Sequence, residues 1–364
     1  MAQRTWLITG VSSGFGRQLT ERLLDGGERV VGTVRGLDKV ADLVEQYPAA
    51  FRAELLDVTD AAAIREVVDR SFAELGRIDV IVSNAGYGLF GAAEELSDEQ
   101  IRHIVDTNLI GSIQLIRAAL PHLRRQGGGR IIQISSYGGQ VAFPGNSMYH
   151  ATKWGIEGFV ESVAQEVAPF GIGMTIVEPG GARTQFPLGS AQVAEQMPVY
   201  DDTPARAPLR ILDPANGLAP GDPARMAAAI ISSVDQEPAP LRMILGSDAL
   251  KNTLKVLRDR IAGFEAQTEL AASTDYPPGQ WHTWSVTTLP TTECRKTTGV
   301  GQVDGRVWHA FLGHLRGRQA PPSIAPPPTA QAAPRSTSPA ARPRDSRRRA
   351  RSRSPRPCRS SRSR

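Results

Sequence analysis

Cysteine is almost absent from this chain: the two that it contains, Cys294 and Cys358, both lie near its carboxyl end. Disulfides therefore play no part in residues 1–279. Metal-binding motifs are lacking as well, because the six histidines are scattered, with no HExxH motif and no close pairing of His with Asp. The sequence thus predicts no metal site.

Long apolar runs are also missing. None approaches the ~18 residues that a membrane-spanning helix needs. The opening MAQRTWLITG passes almost at once into a strand pattern, without the charged and apolar segments of a secretory signal. We therefore expect a soluble, cytoplasmic protein with no membrane partner.

Basic charge is concentrated at the carboxyl end. From residue 280 onward the chain carries 17 Lys and Arg against 3 acidic residues, a net charge of +14, whereas residues 1–279 carry 25 against 34, a net charge of −9. The high isoelectric point is a property of this tail, so it does not indicate a specific nucleic-acid-binding domain. We predict one well-buried α/β domain over residues 1–279 and a separate tail over residues 280–364.

The tail is expected to be irregular to disordered. From about Ala320 it alternates Pro, Ala, Ser and Arg, and with few large apolar residues it cannot offset its own ordering entropy. Residues 280–319 contain three tryptophans but no sustained period. Three interpretations stay open: a basic arm that binds nucleic acid nonspecifically, an inert extension, and an out-of-frame reading of GC-rich DNA that is not a native segment.

The amino-terminal segment has the pattern of a strand, a glycine turn and a helix. TWLIT at residues 5–9 is a short apolar run, and leucines recur at helical spacing after the turn. Glycines here would let the backbone approach a pyrophosphate, whose charge would meet free N–H groups and the positive end of the helix dipole. An ordinary tight turn is the alternative. This candidate phosphate-binding loop comprises Gly10, Ser12, Ser13, Gly14, Phe15 and Gly16.

The residue that ends the second strand pattern indicates which dinucleotide fits. ERVVGTVR at residues 28–35 should end beside an adenosine ribose, and the sequence places Arg35 there. An acidic residue would accept hydrogen bonds from a free 2′-hydroxyl, whereas an arginine accommodates a 2′-phosphate. Arg35 therefore favours NADP, with NAD as the alternative. A solvated charge paired with Asp38 is the competing interpretation.

Polar and glycine residues end the next two strand patterns, at residues 51–60 and 79–86. Ligands bind outside the carboxyl ends of strands in an open parallel sheet, so these residues should share one crevice. The alternation of strands and helices predicts an α/β fold with a doubly wound parallel sheet. Asp60 is expected to cap a helix, which leaves Asp57 for the adenine. The candidate cofactor contacts at these ends are Asp57, Val58, Asn84, Ala85 and Gly86.

Tyr149 and Lys153 stand four residues apart in YHATK, with Ser136 thirteen positions upstream. On a helix this spacing places both side chains on one face. A positive charge ~5 Å away, at an effective dielectric of ~20, stabilises a phenolate by roughly 3 kcal/mol, or about 2 pK units. We therefore expect Lys153 to lower the pKa of Tyr149. An exposed helix pair with the tyrosine in the core is the alternative.

Together these motifs resemble the short-chain dehydrogenase/reductase family, in its single-domain branch, over about residues 5–250. TGVSSGFG is similar to that branch's TGxxxGxG, and SNAG to its NNAG apart from Ser83. YHATK supplies the family's tyrosine and lysine. The resemblance implies a Rossmann-type, three-layer α/β/α fold, and it adds as matched positions the serine Ser136, the helix asparagine Asn108, and Pro179, Gly180 and Thr184 of PGxxxT.

The resemblance implies an oxidoreductase that transfers a hydride between NADP(H) and an alcohol or ketone. Tyr149 would act as general acid and base, and Ser136 would hold the substrate oxygen. Lys153 would stabilise the phenolate and bind the nicotinamide ribose, while Asn108 would hold a water that links Lys153 to solvent. Tyr149, Lys153, Pro179, Gly180 and Thr184 join the expected cofactor contacts. His150, about 100° round the helix from Tyr149, is expected at the surface or pocket edge.

The substrate is predicted only by class. The residues expected to line the substrate pocket, its candidate walls, are mostly apolar. This favours a hydrophobic alcohol or ketone, although each residue could equally belong to the packed core. Residues 187–220 fit a mobile lid. Similar proteins form homo-oligomers, dimers or tetramers, through helices near 98–124 and 149–169. The candidate walls are Tyr87, Leu89, Phe90, Tyr137, Phe143 and Phe186.

A non-catalytic function is the alternative hypothesis. A dinucleotide-sensing regulator could keep this fold without turnover and be tethered to nucleic acid by the arginine-rich tail. The presence of Asn108, Ser136, Tyr149 and Lys153 argues against it, because a regulator has no need of a proton relay.

Overall fold

The computed structural model describes residues 3–184, 190–212 and 219–276. All of them belong to the first of the two compact units into which the chain divides, Met1–Trp281. The tail at residues 280–364, Phe186 and part of the expected lid lie outside the described residues. The predictions on those segments, and the domain boundary at 279, stay predictions.

The strands of the described residues are β1 (Thr5–Thr9), β2 (Arg29–Val34), β3 (Phe51–Leu55), β4 (Val80–Ser83), β5 (Gly88–Phe90), β6 (Gly129–Ile134), β7 (Ile172–Pro179), β8 (Ala191–Val193) and β9 (Arg242–Leu245). Seven parallel strands form the central sheet, in the order β3-β2-β1-β4-β6-β7-β9, and a two-stranded parallel sheet pairs β5 with β8. β1 is buried over its whole length, as expected of a parallel strand covered on both faces.

Helices cover both faces of the large sheet. The helices of the described residues are α1 (Gly14–Asp25), α2 (Ala41–Gln46), α3 (Ala61–Leu75), α4 (Asp98–Val105), α5 (Gly111–Arg125), α6 (Ser147–Val167), α7 (Ala207–Leu212), α8 (Pro223–Ser232), α9 (Ser247–Glu265) and α10 (Thr268–Ser273). One core packs α3, α5 and α6 on the sheet, and a second packs α1 and α8 on it. The predicted three-layer, doubly wound α/β/α fold is confirmed.

The strand and helix boundaries differ in detail from the sequence predictions. The first strand lies at residues 5–9 as predicted, whereas β3 ends at Leu55, before Asp57. Asp60 caps α3 as predicted, since its Oδ1 accepts from the N–H groups of Ala62 and Ala63 at 2.8 and 3.0 Å. The helix expected over 98–124 is interrupted by a π-helical turn, Asp106–Ile110, between α4 and α5. No helix within the described ranges is long and apolar enough to cross a membrane.

Candidate active site

The loop between β1 and α1 is closely packed because of its glycines. Gly10 and Gly14 have φ angles of +73° and +57°, in the left-handed region that favours glycine. A Cβ on Gly16 would overlap the Gly10 carbonyl oxygen and lie 2.6 Å from Nδ2 of Asn84. The glycine pattern therefore allows the loop to approach the end of β4, whereas the close approach to a pyrophosphate that the sequence predicts stays a prediction.

The first turn of α1 offers free donors. Its N-cap residue, Ser13, makes no side-chain capping hydrogen bond, and the first turn contains no acidic residue. The initial N–H groups of a helix have no intrahelical partner, and the helix dipole is positive at that end. With Ser12 and Phe15 beside it, this turn has the chemistry of an anion site and fits the pyrophosphate of a dinucleotide.

Thr9 joins the ends of β1 and β4. Its Oγ1 accepts hydrogen bonds from the backbone N–H groups of Asn84 and Ala85 at 3.0 and 3.1 Å, while Asn84 Nδ2 donates to the Thr9 carbonyl oxygen at 2.8 Å. These bonds bring Asn84 and Ala85 against the glycine loop. Thr9 is not among the residues predicted from the sequence, although a polar residue at the last position of a mostly apolar strand is a signal that could have identified it.

Arg35 and Asp57 lie near each other at the ends of neighbouring strands. The backbone N–H of Thr59 holds the pKa of Asp57 below its ordinary value, with a smaller contribution from the charge of Arg35. Arg35 is exposed, and no ion pair joins it to Asp38 within the described residues. Val58 presents its carbonyl oxygen to Gly111 on α5, where a Cβ would meet it at 2.5 Å.

Asn108 lies in the π-helical turn and is 1% exposed. Its Oδ1 accepts from the backbone N–H of Tyr87 at 3.0 Å, and its Nδ2 donates to the Tyr87 carbonyl oxygen at 2.8 Å. The same amide lies 3.4 Å from the Thr152 hydroxyl on α6. Asn108 therefore holds the chain that follows Gly86 against α6. π-helical turns are frequent at functional sites.

The structure brings Ser136, Tyr149 and Lys153 together. The Ser136 hydroxyl is hydrogen-bonded to the Tyr149 side chain and accepts from the Gly138 N–H at 3.0 Å. The Lys153 Nζ lies 5.6 Å from the centre of the Tyr149 ring and donates to the Ile134 carbonyl oxygen at 3.0 Å. Because α6 carries the tyrosine and lysine one turn apart and β6 leads into the serine, all three lie at the carboxyl end of the sheet.

The electrostatics of this group differ from the sequence expectation. Burial raises the pKa of Tyr149 to about 12, although the hydrogen bond with Ser136 acts in the opposite direction. Burial also lowers the pKa of Lys153 to about 8, opposed by the negative charge of Glu157. The expectation of a lowered Tyr149 pKa is therefore wrong, because desolvation of the buried phenol outweighs the hydrogen bond with Ser136.

His150 is buried, with 5% of its surface exposed, so the expectation of a surface or pocket-edge residue is wrong. Its Nε2 accepts from the Phe143 N–H at 2.9 Å, and its Nδ1 donates to the Gly138 carbonyl oxygen at 2.7 Å. These two bonds require the neutral ring with hydrogen on Nδ1. Burial lowers the pKa of His150, which favours the same form.

The segment after β7 contacts the start of α9. The Gly180 N–H donates to the Leu245 carbonyl oxygen at 2.7 Å, and the Gly181 N–H lies 3.3 Å from Oδ2 of Asp248. A Cβ on Gly180 would come within 2.7 Å of Oδ1 of Asp248, so the glycine lets the chain after Pro179 pass close to this carboxylate. The Thr184 N–H donates to the Ala182 carbonyl oxygen at 2.8 Å. Asp248 was missed by the sequence analysis.

Apolar side chains pack against Tyr149. Tyr87, Leu89, Leu96 and Ile104 form a buried cluster to which Tyr149 contributes its ring. The candidate walls Tyr137 and Phe143 lie with their ring centres 5.3 Å apart. Leu89 and Phe90 are buried and belong to β5.

The described part of the expected lid is anchored to the body. β8 pairs with β5, and the N–H of Ala194 donates to the Phe90 carbonyl oxygen at 2.8 Å. Arg206, which precedes α7, makes two hydrogen bonds of 2.9 and 2.7 Å to the buried Glu95 carboxylate. The sequence predicted mobility across this segment, but residues 190–207 make specific contacts with the body.

A doubly wound sheet with a glycine loop, an uncapped helix and a Ser, Tyr and Lys group at its carboxyl edge defines a dinucleotide-binding oxidoreductase. The profile of the family described as "short chain dehydrogenase" matches residues 4–191. The chain belongs to this family, whose members are oxidoreductases acting on CH–OH groups.

Full-length relatives support the assignment. A short-chain dehydrogenase from Streptomyces avermitilis is 41% identical, with a TM-score of 0.71 over 76% of this chain and 100% of its own. Oxidoreductase BOA17 of Botryotinia fuckeliana is 35% identical over 274 residues, 74% of this chain and 98% of its own. The 3-ketodihydrosphingosine reductase of Bacteroides thetaiotaomicron is 35% identical over 244 residues, 66% of this chain and 87% of its own.

Several structural neighbours were solved with a nucleotide bound. A variant of ElxO with NADPH bound is 25% identical, with a TM-score of 0.55, over 67% of this chain and 98% of its own. None of these relatives supports the alternative of a non-catalytic regulator, since those with named activities are reductases or dehydrogenases.

Proposed function

We propose that this enzyme reduces an apolar ketone with NADPH, and oxidises the corresponding alcohol in reverse, using Tyr149 as the proton donor and acceptor. The observation that supports the proposal is the position of Tyr149. Its hydroxyl is hydrogen-bonded to Ser136, and Lys153 lies beside its ring at the same sheet edge as the glycine loop.

Each residue of the group has a role in proton transfer. The Ser136 hydroxyl orients the substrate oxygen toward the Tyr149 phenol. With a pKa of about 12, the phenol is protonated at neutral pH, which is the form that donates a proton to the oxygen of a ketone as it becomes an alcohol. Lys153 stabilises the phenolate that remains, and Asn108 holds the water that connects Lys153 to solvent. NADPH, when bound, supplies the hydride.

The cofactor contacts follow from the strand ends. The glycine loop with Ser12, Ser13 and Phe15 would hold the pyrophosphate, and Arg35 would hold the 2′-phosphate that distinguishes NADP from NAD. Asp57 and Val58 would contact the adenine. The remaining contacts, nearer the nicotinamide, are Asn84, Ala85, Gly86, Tyr149, Lys153, Pro179, Gly180 and Thr184.

The substrate class follows from the surroundings of Tyr149. The buried cluster beside its ring is apolar. The anchored segment of residues 190–207 contributes Ala194 to this cluster and pairs β8 with β5. A relative whose name specifies a long-chain ketone, 3-ketodihydrosphingosine, agrees with an apolar ketone here. We propose in addition that the catalytic unit spans residues 1–279, that it is cytoplasmic and homo-oligomeric, and that it needs no metal.

Turnover of NADPH tests the proposal. The purified full chain is offered NADPH and a panel of apolar ketones, with NADH as the competing cofactor, and absorbance at the reduced nicotinamide band is followed. Tyr149→Phe should abolish turnover while NADPH still binds with nearly unchanged affinity, measured by its fluorescence. Turnover that persists in this variant would refute the role of Tyr149 as the acid.

A further inference from the structure

We infer that Glu157 is a positioning residue that acts through two neighbours at once: it keeps Lys153 charged and fixes the turn that carries Ser136. The inference rests on the proposed function for its meaning in catalysis. Glu157 lies outside YHATK, one helical turn beyond the lysine, and its carboxylate is 2% exposed.

Glu157 continues the row of residues on α6 that begins with Tyr149. Tyr149, Lys153, Glu157 and Glu161 recur at intervals of four, so each lies one turn from the next along the same side of the helix. The Glu157 carboxylate opposes the desolvation that lowers the pKa of Lys153. A buried ammonium is costly unless an anion lies near it, and Glu157 supplies that anion.

Glu157 also contacts the turn after β6. Glu157 Oε1 accepts from the Ser135 hydroxyl at 2.6 Å, and Oε2 accepts from the Gln140 side-chain amide. These two residues flank Ser136 and the 3₁₀ turn Tyr137–Gly139. A Cβ on Gly139 would overlap Oε1, so the glycine is required for the carboxylate to reach this position. The turn is therefore held at both ends by one side chain.

The Glu157 carboxylate also forms an ion pair with strand β9. Arg242 at the start of β9 donates from Nη1 to Glu157 Oε2 at 2.7 Å and from Nε to Glu161 Oε1 at 2.9 Å. The same guanidinium contacts the buried Glu178, whose pKa is raised by burial and by the charge of Glu157. The titratable or charged groups around Lys153 and Glu157 are thus Tyr149 and Glu161 on α6, Glu178 on β7, Arg242 on β9 and Tyr137 on the turn.

The test measures the protonation of Lys153 directly. The chain has five lysines, so ¹³C labelling of lysine Cε gives few signals, and Lys153→Arg identifies the one from Lys153. In the wild-type full chain this signal should titrate near pH 8. In Glu157→Gln, which keeps the size of the side chain and removes its charge, the midpoint should fall by about one pH unit. An unchanged midpoint would overturn the inference.

A matched control has the same chemistry on the same helix. Glu161→Gln also removes a carboxylate bound to Arg242, but two turns away from Lys153, and it should leave the Lys153 midpoint in place. An equal shift in both variants would show that Glu157 has no particular role. If Glu157→Gln does not fold, Glu157→Asp is used instead. The shorter side chain moves the negative charge away from Lys153, so the midpoint should fall, and an unchanged midpoint would count against the inference.

The contact with the turn has its own readout. Ser135→Ala removes the hydroxyl that binds Glu157 while the charge remains, so kcat for NADPH oxidation should fall by about tenfold without a shift of the Lys153 midpoint. Full activity in Ser135→Ala would refute the positioning role of the contact between Ser135 and Glu157. If the wild-type chain shows no NADPH turnover, the proposed function fails, whereas the lysine titration still decides whether Glu157 controls the charge of Lys153.

Discussion

The ring of His150 connects α6 to the turn that carries Ser136, because its Nδ1 donates to the Gly138 carbonyl oxygen at 2.7 Å. On its other side, Nε2 accepts from the Phe143 N–H at 2.9 Å. A Cβ on Gly138 would come within 2.9 Å of Nδ1, so the glycine is part of the same contact. The residue next to Tyr149 in sequence therefore orients the backbone beside Ser136.

Removal of the His150 ring should destabilise the protein. In His150→Ala two buried backbone groups lose their partner, which should lower the free energy of unfolding by about 2–4 kcal/mol. Urea unfolding at pH 7.5 measures the difference. His103→Ala is the control, because His103 is exposed and its loss should change stability by less than about 0.5 kcal/mol. Equal effects in the two variants would contradict the role of His150.

His150 should also make the stability depend on pH. Burial lowers its pKa in the folded state, so the unfolded chain binds the proton more readily than the folded one. The stabilisation by the neutral ring is complete above the unfolded value of about 6.5 and is lost as the pH falls below it. Urea midpoints measured between pH 7.5 and 5 should fall more steeply for the wild-type chain than for His150→Ala. Parallel curves would refute this prediction.

Gly16 should not tolerate a side chain. In Gly16→Ala the new methyl group would overlap the Gly10 carbonyl oxygen, so the loop must move, at a cost of about 1–3 kcal/mol in stability. We expect a parallel loss of NADPH affinity, measured by fluorescence titration. Gly263→Ala is the control, since nothing lies within 4 Å of the position that its methyl group would take in α9, and alanine should stabilise the helix slightly. Unchanged NADPH affinity in Gly16→Ala would argue against this loop as the pyrophosphate site.

The parts of the site that the sequence predicted are local in the chain. The strand, glycine loop and helix of residues 5–25 and the four-residue spacing of Tyr149 and Lys153 are fixed by neighbours in sequence, so the structure reproduces them. The same spacing rule, extended by one turn, could have identified Glu157. Asp60 was predicted as a cap because its partners lie two and three residues further along the chain.

The properties that the sequence could not predict depend on contacts between distant segments. Whether Lys153 lowers the pKa of Tyr149 depends on how much of the phenol is buried, which the spacing of two residues does not determine. His150 is buried because the turn at Gly138 packs against it from β6. Similarly, Arg206 lies 111 positions from Glu95, and no local pattern links them.

Arg35 should determine the choice of cofactor. In Arg35→Ala the 2′-phosphate would lose its charged partner, so the Kd for NADPH should rise about tenfold or more while the Kd for NADH stays nearly unchanged. Fluorescence titrations with both nucleotides measure this, at one fixed salt concentration. Lys39→Ala removes a nearby exposed cation as the control and should leave both values in place. If Arg35→Ala weakens the binding of both nucleotides equally, Arg35 does not bind the 2′-phosphate.

The pair of Glu95 and Arg206 should hold residues 190–207 on the body. The Arg206 guanidinium keeps the pKa of Glu95 at about 2. The contribution of this pair to stability is therefore complete above the pKa of an unfolded glutamate, and it is lost only as the pH falls toward the pKa of the folded state. Arg206→Met leaves a buried carboxylate without its cation, and limited proteolysis within residues 190–207 should become several-fold faster at pH 7. Glu95→Gln with Arg206→Met removes both charges and should recover part of the protection, because no buried charge then lacks a partner. Arg225→Met, at an exposed position in the first turn of α8, is the control and should be cleaved at the wild-type rate. Cleavage of Arg206→Met at the wild-type rate would show that the strand pair β5 and β8 alone holds the segment.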